Sequence, residues 1–225
     1  MTVTSRFVEL SHRIDDGMIT YPGLPAPAIT EHLSRRASEG RYAPGTTFSI
    51  GRVDMVANTG TYVDAPFHRF EGGTDVAGLA LERLADLPGV AVDARGRGRS
   101  IGPELLDAVA PSIRGRAVLI ATGWDSRWRT PEYGAGHPFL TRDAAARLAA
   151  GGAALVGIDS LNIDDTADLS RPAHTILLES GIPIVEHMTG VASLLGAAFR
   201  FYAVPPPFAG MGSFPVRAFA LLKEE

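Results

Sequence analysis

The sequence contains no cysteine. That excludes a disulfide framework and a thiolate metal site, so any metal must be held by His, Asp or Glu. Oxygen and imidazole donors suit hard or borderline ions such as zinc or manganese. No segment approaches the roughly 18 continuous apolar residues of a membrane span. The opening MTVTSRFVELSHRIDD also lacks a basic stretch followed by an apolar run, and a cytoplasmic protein is expected. Positive charge is scarce as well: 21 Lys and Arg against 25 Asp and Glu leave a net charge of -4, with the basic residues scattered. Such a surface has no electrostatic footprint for nucleic acid or an acidic membrane. A small molecule or another subunit is the expected partner.

What is present suffices for a full core. With 225 residues, 45% of them hydrophobic, and no repeat, low-complexity linker or shift in composition, one domain over 1–225 is expected. The arginine-rich Arg95-Gly96-Arg97-Gly98-Arg99 reads as a solvated turn.

Short β-rich runs alternate with helical stretches. Strands are predicted over Thr47–Met55, Gly89–Ala94, Ala117–Thr122, Ala153–Asp159 and Ile182–His187, and later over Phe199–Val204 and Val216–Leu222. Helices are predicted over Pro103–Val109, over Thr141–Ala150 with a threonine cap and a Gly151-Gly152 stop, and over Thr189–Leu195 before Gly196. The class is α/β, with a mixed β-sheet core and flanking helices.

Two constellations carry candidate chemistry. Asn58, Tyr62, Asp64 and His68 stand at intervals of 4, 2 and 4 residues, around Gly60 and Pro66 and just after a predicted strand. Glycine and proline both break regular structure, so this is a strand-to-loop passage whose polar side chains can converge on one point. The alternative is a turn in which those side chains only satisfy backbone groups. The second constellation lies in RPAHTILLESGIPIVEHM. His174 precedes an apolar helix of one or two turns, and Glu186 follows the apolar run IPIV 12 positions later. A carboxylate there is costly to bury unless it binds a cation or is hydrogen-bonded. Nitrogen and oxygen ligands for a metal, or a core salt link, both fit that pair.

His12, His32 and His137 have no acidic or histidine neighbour at ligand spacing and read as surface or loop residues. His187 adjoins Glu186, but adjacent strand residues point to opposite faces, so only one of the two is expected to face a given site.

At these residues the chain resembles the bacterial kynurenine formamidase and cyclase family of metal-dependent amide hydrolases, whose signature runs His-x-Gly-Thr-His-x-Asp-x-Pro-x-His with a distant His and Glu. The segments LSHRIDDGMITYPGLPAP, LIATGWDSRWRTPEYGAGHPFLTRDAAARLAAGGAALVGIDSLNIDD and GSFPVRAFALL are similar to it too, so the resemblance spans nearly the whole chain. It implies the swivelling β/β/α fold, a homodimer or homotetramer, and metal-assisted hydrolysis.

Carried over by position, Asp64, His68, His174 and Glu186 match, whereas Asn58 and Tyr62 replace the two signature histidines. An amide oxygen and a neutral phenol are weak ligands, so the usual first metal site is expected to be lost. One divalent metal, manganese or zinc, is expected at Asp64, His174 and Glu186, with His68 as general acid or base and Tyr62 and Asn58 as donors to a carbonyl oxygen. The predicted activity is hydrolysis of a small cyclic or aryl amide, formamide or lactone. A metal-free isomerase, cyclase or dehydratase using Tyr62, His68 and Glu186 is the alternative, and a non-catalytic small-molecule binding protein the next. Tyr21, Phe67 and Trp124 are the expected apolar or stacking contacts to substrate.

Overall fold

The computed structural model describes residues 6–222, so the two extreme ends of the expected domain, 1–5 and 223–225, lie outside the described residues. The strands are β1 Arg6–Glu9, β2 Ala28–Leu33, β3 Ile50–Asp54, β4 Tyr62–Asp64, β5 Leu87–Asp93, β6 Ser100–Ile101 and β7 Ala117–Ala121. They continue with β8 Phe139–Leu140, β9 Leu155–Ile158, β10 Ile184–Glu186, β11 Phe199–Tyr202, β12 Ser213–Pro215 and β13 Phe219–Leu222. Nine of them form one mixed sheet in the order β1-β13-β11-β5-β7-β9-β10-β4-β12, while β2 pairs with β3 and β6 with β8 in separate ribbons. The α-helices are α1 Arg35–Ser38, α2 Arg142–Gly151 and α3 Pro172–Glu179.

The apolar runs read from the sequence became the central parallel strands β7, β9 and β10, in which every residue is buried. Alternation along β7 then splits the core. Val118 and Ile120 meet Leu148 of α2 and Leu177 of α3 on one face, while Ala117, Leu119 and Ala121 pack on the other with Phe201 of β11 and Ala220 of β13. Helix α2 keeps its predicted limits: the Thr141 hydroxyl accepts from the Ala144 N–H, and Gly152 closes the helix at φ 74°.

Three expectations are corrected. The Pro103 segment forms a 3-10 helix over Pro103–Ser112 that contains Pro111, which cannot donate to an α-helical ladder. The Thr189 segment contracts to a 3-10 turn over Val191–Leu194. The last strand contracts to β13, because Val216 N–H bonds Thr61 O beside β4 and Ala218 N–H bonds Ser11 Oγ beside β1, and β12 forms just before the predicted range. The predicted strand at Thr47–Met55 exists as β3, but it lies in an exposed ribbon with β2.

Register positions the site. In β4, Tyr62 and Asp64 share one face while Val63 turns into the opposite core. Antiparallel pairing sets Glu186 of β10 opposite Tyr62, and Ser213 of β12 opposite Asp64. Directly opposed residues share a face. Three adjacent strands thus deliver Glu186, Tyr62, Asp64 and Ser213 to one surface.

Candidate active site

Asp64 and Glu186 are carboxylates with 0% and 1% exposure, and His174 stands beside them at 6%. Burying such charges costs several kcal/mol apiece unless each finds a partner. Nε2 of His174 lies 3.6 Å from Asp64 Oδ2 and 3.6 Å from Glu186 Oε1, on α3 packed against the sheet. Its Nδ1 is held 2.7 Å from Asp164 Oδ2, so the ring N–H donates to that carboxylate and Nε2 is aimed at the other two. Asp164 also accepts from the backbone N–H groups of Ala173 and His174, at 2.6 and 3.0 Å, fixing the start of α3.

The remaining acceptors are mostly satisfied. Glu186 Oε2 accepts from the Tyr62 hydroxyl at 2.6 Å, and Glu186 Oε1 accepts from the Ile163 N–H at 2.7 Å. The Ser213 hydroxyl donates to Asp64 Oδ1 and sits 2.9 Å from Nδ1 of His68, whose ring N–H it can therefore accept. Asn58 Nδ2 also donates to Ser213 Oγ, at 3.3 Å. One atom is left over: Asp64 Oδ2 is buried and has no hydrogen-bond partner.

His68 ends the short helix Pro66–His68, anchored where Ala65 N–H bonds Gly212 O. A Cβ on Gly212 would come within 2.6 Å of the His68 Cα, so only glycine lets the start of β12 pass this close.

Electrostatics follow from burial and neighbours. Burial, then the charges of Glu186 and Asp64, push the Tyr62 hydroxyl well above the ordinary range, so it stays a neutral donor. Burial raises Glu186 to about 7 despite the pull of His174. Burial alone would raise Asp64 too, but the neighbouring His68 and His174 hold it below the usual value. For His174, burial works against protonation and is outweighed by Glu186, Asp164 and Asp64, which lift it to about 10.

A cleft of about 450 Å³ opens onto this group, lined by Tyr21, Leu24, Asn58, Tyr62, His68 and His174 among others. Two expected substrate contacts lie elsewhere. Trp124 is held away by its indole N–H, which donates to Tyr133 O at 3.0 Å, and its ring is covered by the Arg127 guanidinium; it lines a separate depression. Phe67 is half-buried beside the Pro66 turn and is absent from the cleft lining. The Tyr62 hydroxyl, expected to donate to a substrate carbonyl, spends its single proton on Glu186.

The other histidines also needed the structure. His32 is exposed, but His137 is buried, with Nδ1 3.3 Å from Ser160 Oγ, and His12 stacks on Trp128 at 4.0 Å. His187 lies behind the site, with its ring 5.3 Å from that of Tyr62 and its Nδ1 2.9 Å from the Tyr133 hydroxyl; burial lowers it to about 3. Asp164, Asn162 and Ser213 went unrecognised in the sequence as site residues. The reasoning applied to Glu186, a carboxylate after a buried apolar strand, would have picked Asp159 directly after β9 rather than Asp164.

The donor set suits a divalent cation. Asp64, His68 and His174 each offer an atom within 4.8 Å of the others'; Glu186 stands outside that cluster, with Oε1 3.6 Å from His174 Nε2. Two ligands about 2.1 Å from one tetrahedral ion stand roughly 3.4 Å apart, near the spacings of Nε2 to both carboxylates. The unpartnered Asp64 Oδ2 is the acceptor such an ion would satisfy.

Known proteins share this fold. The chain is 27% identical over 216 residues to the kynurenine formamidase of Bacillus mycoides (strain KBAB4), covering 96% of this chain and 97% of that protein. It is 27% identical over 218 residues to the kynurenine formamidase of Maricaulis maris (strain MCS10), covering 93% and 95%. In structure it is similar to isatin hydrolase A from Labrenzia aggregata, with a TM-score of 0.82 at 21% identity over 98% of this chain and 94% of that one. A protein described as a potential metal-dependent hydrolase with cyclase activity superposes with a TM-score of 0.80 at 24% identity, over 99% and 100% of the two chains. A family model described as "Putative cyclase" matches residues 8–165, and the chain belongs to the cyclase family.

Proposed function

We propose that the protein hydrolyses the C–N bond of a small aryl or cyclic amide or formamide, with a single divalent cation held by Asp64, His174 and Glu186. The observation that carries this reading is the buried, unpartnered Oδ2 of Asp64, facing an imidazole that Asp164 has already oriented. The kynurenine formamidase and isatin hydrolase relatives support the amide as the reacting bond. A divalent ion bound there, manganese or zinc, supplies Lewis acidity, lowering the pKa of a water and polarising a carbonyl.

The chain's own residues supply the rest. His68 donates Nδ1–H to Ser213, which leaves Nε2 to take a proton from the attacking water and return it to the departing nitrogen as the C–N bond breaks. Asn58 keeps an N–H for the substrate carbonyl oxygen, since one of its two contacts Ser213. Tyr62 holds Glu186 in place.

The test is formanilide hydrolysis before and after chelation, together with His68→Ala. Chelation should abolish turnover and His68→Ala should lower kcat by roughly 10²–10⁴-fold; full activity after chelation would sink the proposal. The metal-free isomerase or cyclase reading draws on one observation: a protonated His174 between Asp64 and Glu186 is a self-contained ion group. Elemental analysis of protein purified without added metal separates the two.

The proposal extends to a second copy of the chain as partner, in the cytoplasm. Among the described residues no helix is long and apolar enough to cross a membrane. The β2–β3 ribbon nevertheless exposes Ile29, Ile50 and Val53, with Tyr42 and Phe48 between its strands. An isolated two-stranded ribbon is marginal in water, and this one needs a surface to lie on.

A further inference from the structure

The cleft carries both signs of charge. Its lining includes Glu186, whose carboxylate is buried, together with Arg69, which is exposed, and Arg171, which is half-buried. Some arginines meet carboxylates: Arg95 pairs with Asp93, Arg147 with Asp107 and Arg217 with Glu9. Among the described residues, Arg69 and Arg171 have no such partner. Arg69 donates only its Nε–H, to Thr175 Oγ1 at 3.3 Å, with its guanidinium over the Phe70 ring. Arg171 donates one N–H to the backbone oxygen of Asp165, also at 3.3 Å.

Both side chains gather at one end of α3. Thr175, which anchors Arg69, lies one turn above Arg171 and donates its own N–H to Arg171 O, so the two positions share a helix face. Arg171 itself sits at φ 47°, ψ 60°, left-handed backbone that glycine or asparagine occupies at lower cost than an arginine does. A large cation is therefore held at a strained position, half-buried at the entrance to the site.

We propose that Arg69 and Arg171 recognise an anion, and that the cleft selects aryl amides bearing a carboxylate. Each guanidinium has five N–H donors and uses one, leaving an edge that matches a carboxylate in bidentate fashion. Electrostatics fix the orientation. The two guanidiniums draw the carboxylate to their side of the cleft, which leaves the neutral amide to face His68. A cleft of about 450 Å³ accommodates such a molecule against Tyr21 and Leu24. The nature of the reacting bond rests on the hydrolase reading above; the recognition is a binding property and does not.

The experiment compares benzoate with benzamide by calorimetry on the full chain, with and without added manganese, in the wild type and in Arg69→Gln, Arg171→Gln and the double variant. Benzoate should bind roughly ten- to hundredfold tighter than benzamide, and the double variant should bring that ratio near one. Arg171→Gly guards against misfolding, since it relieves the positive φ while removing the guanidinium. Equal binding of the two ligands by the wild type overturns the proposal. So does a preference that survives in the double variant, as it would if benzoate sat on a bound cation. Kinetics with 2-formamidobenzoate and formanilide should give the same ratio in kcat/KM. If neither is hydrolysed, the hydrolase reading falls while the binding comparison still decides the arginine pair.

Discussion

Metal affinity should depend steeply on pH, and the structure sets the slope. His174 is lifted to about 10 and Glu186 to about 7, so a cation entering between them must displace their protons. Between roughly pH 7.5 and 9 one proton, that of His174, leaves per ion bound, and log K should rise by about one per pH unit. Below about pH 7 the Glu186 proton adds to it. From pH 6 to 8 the displaced His174 proton contributes about two decades and the Glu186 proton about one more, together about 4 kcal/mol. The sign is fixed: protons compete with the ion, so affinity is lost as pH falls. Calorimetric titration with manganese, in two buffers of different ionisation enthalpy, measures both affinity and protons released. An affinity flat between pH 7.5 and 9, or no proton release there, would show that no proton leaves His174 when the ion binds, and would refute this reasoning.

Asp164→Asn leaves one carbonyl oxygen where three N–H groups now donate; metal affinity should fall roughly 10–100-fold and the start of α3 should weaken by about 1 kcal/mol, read by calorimetry and thermal melting. Ser213→Ala removes the link between Asp64 and the His68 ring, so kcat should drop roughly tenfold or more with little change in KM, and stability should fall by about 1–3 kcal/mol; an unchanged kcat would separate His68 from the reaction. Val53→Asp on the ribbon should shift the protein toward monomer in light scattering, with no loss of melting temperature for the monomer.

Much of the architecture was legible because local and global signals agree. The apolar runs of β7, β9 and β10 have one reading as buried strands, and Thr141 with Gly152 leaves little doubt about α2. The alternation Tyr62, Val63, Asp64 forecasts that the two polar side chains share a face. What alternation could not supply was pairing. Ser213 belongs to the site only because β12 sits beside β4, and Asp164 only because its loop meets the first turn of α3. His137 is a loop residue as expected, but its burial was not legible because its partner Ser160 is 23 positions away. Trp124 misled for a related reason: its indole partner, the Tyr133 carbonyl, turns it away from the cleft.

Asn58 and Tyr62, which the resemblance sets at the positions of two signature histidines, invite a last test. The phenol of Tyr62 holds Glu186, and the amide of Asn58 holds the serine that bridges Asp64 and His68. Both side chains therefore serve the donors of the proposed single site. Paired imidazoles at the same positions would stand beside Asp64 Oδ1 and Oδ2 as fresh nitrogen donors, at the loss of the 2.6 Å bond to Glu186. Asn58→His with Tyr62→His should raise manganese or zinc stoichiometry from one ion per chain to two, while loosening Glu186 and so weakening the original ion roughly 10–100-fold. Inductively coupled plasma analysis after dialysis gives the count. A count that stays at one would mean that these positions do not converge on Asp64 closely enough to complete a second site.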